Sequence, residues 1–353
     1  MISRLMHLRN FLDKKQVDGV LISSIENIRY FSGFTGSSGV LLISGETAKL
    51  ITDFRYIEQA GQETSGFEIV RHGSNLYATV KAEINKLGLH HIGFESQYLT
   101  VDSYNAANQT ESDFVAVDLD ELRMVKDKNE LAAIRQAVKI ADLGFEHILT
   151  KFKPGVTENR LALELEFFMR KNGAEKLAFD TILVSGKKSA LPHGTPSDKV
   201  IEVGDFVTMD FGALYKGYHS DMTRTIVIGK ATSKQRQIYH VVHSAQIKAA
   251  KAIKPGMSGK EVDKVARKII ADAGYADYFG HGLGHGVGLA IHEAPRLSPM
   301  GEVVLASGMV VTVEPGIYIP DWGGIRIEDT VVVTADGVEI LTASSKELIE
   351  IDW

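Results

Sequence analysis

The chain repeats one local pattern, Gly204-Asp-Phe-Val-Thr-Met-Asp210-Phe-Gly212 and Gly308-Met-Val-Val-Thr-Val-Glu314-Pro-Gly316. Glycines match at both ends, and a threonine and an acid match between them: Thr208 with Thr312, and Asp210 with Glu314. In both copies apolar side chains alternate with the threonine and the acid, as in a strand that turns one face inward. We therefore predict two copies of one strand, each carrying a carboxylate.

A second pair of acids follows each copy. Asp221-Met-Thr223 aligns with Glu328-Asp-Thr330, so four carboxylates occupy matched positions. If the copies pack face to face, the acids converge, and they repel one another unless a cation lies among them. Taken singly, Asp221 could cap a turn and Glu328 could pair with Arg326. Together the four acids predict a metal centre.

The repeat extends to the helices that precede the strands. Lys153-Pro-Gly155 comes before Thr157-Glu158, and Lys254-Pro-Gly256 comes before Ser258, which are typical helix starts. We predict that a helix, Lys-Pro-Gly, a second helix, a loop and a strand pair occur twice, as an internal duplication.

Composition restricts the classes of function. The chain has 353 residues, 44% hydrophobic and 24% charged, which is typical of a globular protein. Its net charge of −6, from 39 basic and 45 acidic residues, gives no basic surface for nucleic acid. No apolar run is long enough to span a membrane. The first residues lack a signal-peptide pattern, and cysteine is absent, so we expect a cytoplasmic protein without disulfides or Cys-ligated zinc.

The organisation predicted is a mixed α/β (α+β) chain of two domains, residues 1–122 and 123–353, joined through a charged segment. The first domain is predicted to have no nucleotide site, because no Gly-rich loop follows a strand. The second is predicted to open with a long helix. The predicted strands of the first domain are 19–23, 40–43, 49–52 and 92–94, and its helices are 2–16, 55–64, 76–87 and 101–110; the long helix is 129–151.

A histidine segment lies between the two acid-bearing strand pairs, His281-Gly-Leu-Gly-His285-Gly-Val-Gly-Leu-Ala-Ile-His292-Glu293. Its glycines argue against a helix and allow a tight loop close to a bound group. One imidazole from this loop can complete the carboxylate cluster. Such a site favours manganese, then cobalt or zinc. Two ions about 3.5–4 Å apart would use all four acids.

These residues resemble the metallopeptidase family with the pita-bread fold that includes methionine aminopeptidase, aminopeptidase P and prolidase. The resemblance covers roughly residues 125–353. It implies that Asp210 chelates one ion alone, that Asp221 and Glu328 bridge two ions, and that His285 and Glu314 bind the other. The first domain resembles the creatinase/prolidase-type domain of the proline-specific branch, which methionine aminopeptidases lack.

The resemblance also implies a reaction and further site residues. We expect hydrolysis of an Xaa-Pro bond in dipeptides or short peptides, with Glu314 moving a proton to the leaving amine. His193 and His292 are expected to bind substrate and stabilise the tetrahedral intermediate. Arg326 is expected to orient Glu328.

The substrate length is left open at this point. Arg296 could hold the carboxylate of a dipeptide or form a surface salt bridge. An Xaa-Pro dipeptidase is favoured, with aminopeptidase P as the alternative and a non-catalytic binding protein as a further one. A homodimer is expected from the resemblance alone, and the segment Asp53-Phe-Arg55-Tyr56 has no assigned role.

Overall fold

A computed structural model describes residues 2–352. The chain divides into two compact units, Met1–Arg123 and Met124–Trp353. Among the described residues, no helix combines the length and the apolar character that crossing a membrane requires.

The first unit is built on a mixed six-stranded sheet with the order β4-β3-β2-β1-β5-β6. Its central strands β1 and β2 are buried along their whole length. The strands are β1 Gly19–Ile22, β2 Val40–Ser44, β3 Ala48–Thr52, β4 Glu68–Arg71, β5 His91–Phe94 and β6 Asp113–Ala116; the helices are α1 Ile2–Lys15, α2 Ile25–Ser32, α3 Ile57–Glu63, α4 Leu76–Leu87 and α5 Val101–Ala107.

Three elements of this unit were not predicted: α2, β4 and β6. Helix α2 begins at a capping serine, Ser24, and ends at Gly33 with a φ of 81°. The helix has only about two turns, and so few residues do not show the spacing of apolar side chains that predicts a helix. The outer strands β4 and β6 are largely exposed, so they lack the apolar run that marks a buried strand.

The second unit contains two similar halves. Its helices are α6 Lys128–Leu149, α7 Glu158–Lys171, α8 Ser233–Ala252 and α9 Gly259–Asp272. Its strands are β7 Lys176–Leu177, β8 Ile182–Ser185, β9 Phe206–Phe211, β10 Ala213–Tyr215, β11 Tyr218–His219, β12 Met222–Ile228, β13 Gly284–Gly286, β14 Glu293–Leu297, β15 Val310–Val313, β16 Gly316–Ile319, β17 Gly323–Arg326, β18 Asp329–Val333, β19 Val338–Ile340 and β20 Glu350–Ile351. The main sheets have the orders β20-β12-β9-β8 and β14-β13-β15-β18-β19.

Each half packs a helix pair on its own sheet. One apolar cluster joins α6 and α7 to β8, β9 and β12, and another joins α8 and α9 to β15 and β18. The helix starts also match, because Thr157 caps α7 and bridges to Val200, while Ser258 caps α9 and bridges to Val304. The duplication of helix, turn, helix and strand pair predicted from the sequence is therefore present.

The register of the strands corrects one predicted match. In the first half Asp210 pairs with Thr223. In the second half one register runs through the Val313–Asp329 and Gly316–Arg326 pairs, which brings Glu314 opposite Glu328. Thr223, rather than Asp221, therefore occupies the position that matches Glu328, and the alignment of the two acids was wrong by two residues.

The displacement of Asp221 has a physical cause in the first hairpin. Pairing of β9 with β12 continues to Phe211 and Met222, so Asp221 lies just beyond the paired residues. The strands approach closely there, since a Cβ on Gly212 would lie 1.9 Å from the carbonyl oxygen of Ser220. The second hairpin has a longer connection, and its acid remains opposite Glu314.

A buried ion pair connects the two halves. Arg224 of β12 donates through Nη2 to Asp329 Oδ1 of β18 at 2.8 Å, with side chains 1% and 0% exposed. The other carboxylate oxygen accepts from Gln246 Nε2 at 2.9 Å and lies 2.7 Å from Lys346 Nζ. Removing one member leaves buried charge without its partner, which is costly.

We predict that Arg224→Met lowers the free energy of unfolding of the second unit by about 3–5 kcal/mol. The matched control is Arg135→Met, because Arg135 pairs with Glu339 at the surface with side chains 44% and 46% exposed. That variant should lose less than about 1 kcal/mol. Denaturation followed by tryptophan fluorescence measures both, since Trp322 and Trp353 both belong to this unit. Equal losses in the two variants would contradict the prediction.

Candidate metal centre and substrate cavity

The four predicted acids lie at strand ends of the second unit and converge on one cavity. Asp210 stands near the end of β9 and Glu314 directly follows β15, while Asp221 precedes β12 and Glu328 precedes β18. All four line the same cavity of about 600 Å³. The face-to-face packing of the two halves thus brings the acids together.

Three of the predicted ligands are close enough to bind one ion. Asp221, His285 and Glu328 each offer a ligand atom, and these atoms lie within 4.8 Å of one another. His285 Nε2 lies 3.3 Å from Glu314 Oε1 and 3.5 Å from Asp221 Oδ2. Asp210 is not among these three, and its Oδ2 accepts from Arg326 Nη2 at 2.6 Å.

His285 is held between two glycines on β13. A Cβ on Gly284 would lie 2.0 Å from the carbonyl oxygen of Thr312, and one on Gly286 would lie 2.3 Å from that of Ala294. Only glycine allows this approach of the backbones. The ring Nδ1 lies 3.1 Å from the carbonyl oxygen of Gly286. An Nδ1–H donated there leaves Nε2 with a free lone pair for a metal.

Thr312 links His285 to Glu314. Its Oγ1 accepts from the backbone N–H of His285 at 3.0 Å and donates to Glu314 Oε1 at 3.0 Å. The threonine that matches it in the first half, Thr208, instead contacts Thr225 Oγ1 at 3.1 Å. The repeated threonine therefore serves the metal cluster only in the second half.

Arg326 contacts a different acid from the one predicted. Its guanidinium binds Asp210 directly, and its Nε donates to Thr223 Oγ1 at 2.9 Å. Thr223 Oγ1 in turn donates to Glu328 Oε2 at 2.6 Å. Arg326 thus reaches Glu328 through the hydroxyl of Thr223, and its orienting role stays a prediction. Side chains of β17 extend across to β9 and β12, which the sequence spacing does not reveal.

Burial and mutual repulsion set the protonation of the cluster. Burial and the charges of Glu328 and Asp210 raise the pKa of Asp221 well above its usual value. Burial and the charges of Glu314 and Asp210 do the same to the pKa of Glu328. Burial also raises the pKa of Asp210, against the opposing charge of Arg326.

Glu314 and His285 behave as an ion pair. Burial works to raise the pKa of Glu314, but the hydrogen bond and charge of His285 outweigh it and bring this pKa to about 2. Burial alone would lower the pKa of His285, but the hydrogen bond and charge of Glu314 outweigh it, so this pKa is raised. Glu314 is thus ionised beside a cation of the chain, whereas Asp221 and Glu328 need a further cation nearby to be ionised together.

The orphaned oxygens of the cluster show that its residues suit a metal. Asp210 Oδ1 and Glu328 Oε1 are buried and accept no hydrogen bond from any residue in the described range 2–352. A buried carboxylate oxygen without a partner is costly. Four carboxylates and one imidazole form a donor set for hard to borderline divalent ions. The residues present therefore fit divalent metal.

The other predicted site residues line the same cavity. His193, His292 and Arg296 are exposed at its wall. The rings of His292 and His285 are 4.3 Å apart between centroids. The His292 ring is open to the cavity on one side only, and this partial burial, together with the charge of His285, lowers the pKa of His292. Arg296 lies directly opposite His285 in the β13–β14 pair.

Sequence reasoning missed Thr223 and Tyr318. Tyr318 OH accepts from Arg326 Nη1 at 2.9 Å and lies 2.9 Å from Nε2 of His281. Burial raises the pKa of Tyr318 to about 12. The alternation in β16 could have indicated an inward tyrosine, but no local motif indicates its partner.

Comparison with known proteins identifies both parts of the chain. Residues 4–125 match the Creatinase/Prolidase N-terminal domain, and residues 132–335 match Metallopeptidase family M24. The pita-bread domain expected after a creatinase/prolidase-type domain is thereby confirmed.

Individual relatives cover nearly the whole chain. An Xaa-Pro dipeptidase of Pyrococcus furiosus is 43% identical, over 99% of this chain and 100% of its own. The structure of an Xaa-Pro dipeptidase from Bacillus anthracis superposes with a TM-score of 0.97 at 47% identity, with 99% of each chain covered. An X-Pro aminopeptidase from Thermotoga maritima MSB8 gives a TM-score of 0.88 at 40% identity, covering 99% of this chain and 100% of that one.

We predict that Thr223→Val weakens binding of Mn²⁺ about 10-fold or more, because Glu328 loses the hydroxyl that orients it. Isothermal titration calorimetry on metal-free protein measures this affinity. Thr208→Val is the matched control, since the Thr208 hydroxyl contacts Thr225 and the carbonyl of Gly324 but no acid. Wild-type affinity in the Thr223 variant would contradict the prediction.

Proposed function

The chain belongs to Metallopeptidase family M24, and we propose that it is a dinuclear-metal peptidase that cleaves the Xaa-Pro bond of dipeptides. The observation that carries the proposal is the buried cluster of four carboxylates and one imidazole, with orphaned oxygens, in the wall of a cavity. Relatives named Xaa-Pro dipeptidase, similar along their whole length, support the substrate class.

Peptidases of this family use divalent metals, and we propose two Mn²⁺ ions here, with Co²⁺ or Zn²⁺ as substitutes. Asp210, Asp221, His285, Glu314 and Glu328 would hold them. Oxygen-rich donors with a single imidazole favour manganese, and four carboxylates exceed what one ion needs. When bound, such a pair polarises the scissile carbonyl and activates a water.

Glu314 is the proposed proton carrier. Its carboxylate is ionised in the cluster, and Thr312 fixes its Oε1. It can therefore take a proton from the attacking water and pass it to the proline nitrogen of the leaving group. The proline nitrogen leaves as an amine, so it must gain a proton as the Xaa-Pro bond breaks.

His193 and His292 are the proposed substrate-binding histidines. Both rings are exposed at the cavity wall, and the lowered pKa of His292 favours a neutral ring that donates one N–H. Such a donor can stabilise the oxyanion of the tetrahedral intermediate. The carbonyl of Pro192, next to His193, accepts from Arg326 Nη1 at 3.3 Å, which fixes the start of that loop.

Arg296 distinguishes a dipeptidase from an aminopeptidase P in this proposal. Its guanidinium can form a bidentate pair with the free carboxylate of an Xaa-Pro dipeptide. Its backbone is tightly held, since a Cβ on Gly259 would lie 2.0 Å from the Arg296 carbonyl oxygen. The Thermotoga maritima relative named X-Pro aminopeptidase keeps the action on longer peptides as the second candidate.

The expected homodimer and cytoplasmic location stay part of the proposal. Both rest on the resemblance and on sequence character rather than on a contact in the described chain. Light scattering after size exclusion measures the oligomeric state.

We predict that chelation abolishes hydrolysis of Ala-Pro and that added Mn²⁺ restores it. Glu314→Ala should lower kcat by about 10²–10⁴-fold or more even with excess Mn²⁺, because the proton carrier is lost. His240→Ala is the control, since His240 is an exposed residue of α8 outside the cavity. If Mn²⁺ restores no activity, the chain is a non-catalytic binding protein and the proposal fails.

We predict that Ala-Pro is cleaved faster than Ala-Pro-Ala and that Arg296→Met raises KM for Ala-Pro by about 10–100-fold. A charge-assisted bidentate pair accounts for this size of effect. KM for Ala-Pro-Ala should change little, because its carboxylate lies one residue further away. Arg296→Lys keeps the charge without the bidentate geometry, so its KM for Ala-Pro should lie between those of the wild type and Arg296→Met. A preference for the tripeptide would instead favour aminopeptidase P.

A further inference from the structure

A second buried ion pair involves the residue that follows His292, and no role proposed above uses it. Lys126 Nζ lies 2.6 Å from Glu293 Oε1, with side chains 1% and 2% exposed. Glu293 directly follows His292. Burying two charges costs desolvation, and such a pair is weak evidence for stability by itself. Its place beside a substrate-binding histidine therefore points to a role in the site.

Lys126 is fixed to the strand that leads to Glu314. Its backbone N–H donates to the carbonyl of Gly308 at 2.9 Å, and Val125 forms a bridge with Met309. The ammonium also donates to the carbonyl of Met124 at 3.2 Å. The positive charge is thus held at a defined point of the second half.

Glu293 closes the loop of residues 286–293 around its own carboxylate. Its backbone pairs with Gly286, and its Oε2 accepts from the N–H of Ala290 at 3.4 Å. Gly288 packs so closely that a Cβ there would lie 2.4 Å from Oε1. The carbonyl of Gly288 accepts from the N–H of His219 at 2.9 Å. The Glu293 carboxylate therefore contacts residues of its own loop, and it also binds Lys126, which does not belong to the loop.

The position of His292 depends on this loop. Its ring lies against His285 at 4.3 Å between centroids and makes no hydrogen bond to any residue in the range 2–352. Its direction therefore depends on its backbone and on that ring contact. The backbone at this point is set by Glu293, the next residue.

We propose that Lys126 and Glu293 are positioning residues for the substrate-binding histidine: their ion pair fixes loop 286–293 and thereby aims His292 into the cavity. The proposal rests on the proposed peptidase function for its catalytic consequence. Lys126 contacts the carboxylate, the carboxylate fills the loop, and the loop presents the imidazole. Neither residue touches the substrate.

The test is a double-mutant cycle on Ala-Pro hydrolysis with Lys126→Met, Glu293→Gln and the double variant. Each single change leaves one buried partner uncompensated, so kcat/KM should fall about 10–100-fold. The loss of kcat/KM in the double variant should be far smaller than the product of the two single losses, because both substitutions remove the same interaction. Two losses that multiply would overturn the pairing.

A second measurement separates positioning from plain destabilisation and does not depend on activity. Hydrogen exchange of metal-free protein, read by mass spectrometry, should show faster exchange in the 286–293 peptide of both single variants. The control is Lys49→Met, because Lys49 of the first unit is also buried, 2.7 Å from Glu68 and 2.8 Å from Glu83. That variant should lower Tm while leaving kcat/KM and the exchange of this peptide at wild-type values.

The outcomes remain distinguishable from failure of the proposed function. If wild-type protein hydrolyses no Xaa-Pro dipeptide, the peptidase proposal fails, and exchange alone then tests whether the pair fixes the loop. If the single variants lower Tm but keep wild-type exchange in 286–293 and kcat/KM within about twofold, the pair is only structural and the inference is overturned.

Discussion

Repulsion among buried carboxylates is the constraint on which the second unit depends. Burial raises the pKa of Asp221 and of Glu328 well above their usual values, and the charges of neighbouring acids raise both further. The chain supplies one guanidinium, Arg326, which binds Asp210. His285 pairs with Glu314, and metal among the other acids would relieve the repulsion that remains and so stabilise the packing of the two halves.

The sequence alone predicted the two repeated halves of this unit better than the register in which their strands pair. Periodicity, the two Lys-Pro-Gly turns and the repeated acids are local signals, and each corresponds to a helix, a turn or a strand end. Strand register is not local, because it depends on the length and path of the connection. The offset between Asp221 and Glu328 follows from how far β9 and β12 stay paired, which only the folded hairpin determines.

The residues that sequence reasoning missed share one property: their roles depend on partners far along the chain. Thr223 reaches Arg326 and Glu328, and Tyr318 reaches Arg326 and His281. A threonine or tyrosine in a strand is common, and no spacing marks the one that carries a hydrogen bond to a ligand. The convergence of the four acids was easier to predict, because acids in apolar strands are rare.

The hydrogen bonds around Arg326 cross from one half of the duplication to the other. Arg326 belongs to the second half and binds Asp210 and Thr223 of the first, and the N–H of Glu328 donates to the carbonyl of Thr223 at 3.1 Å. Neither half alone can assemble the ion-binding cluster, so ions bind only the folded pair and stabilise it by mass action. In a cell, the supply of metal would therefore govern how long each molecule survives proteolysis as well as how fast it works.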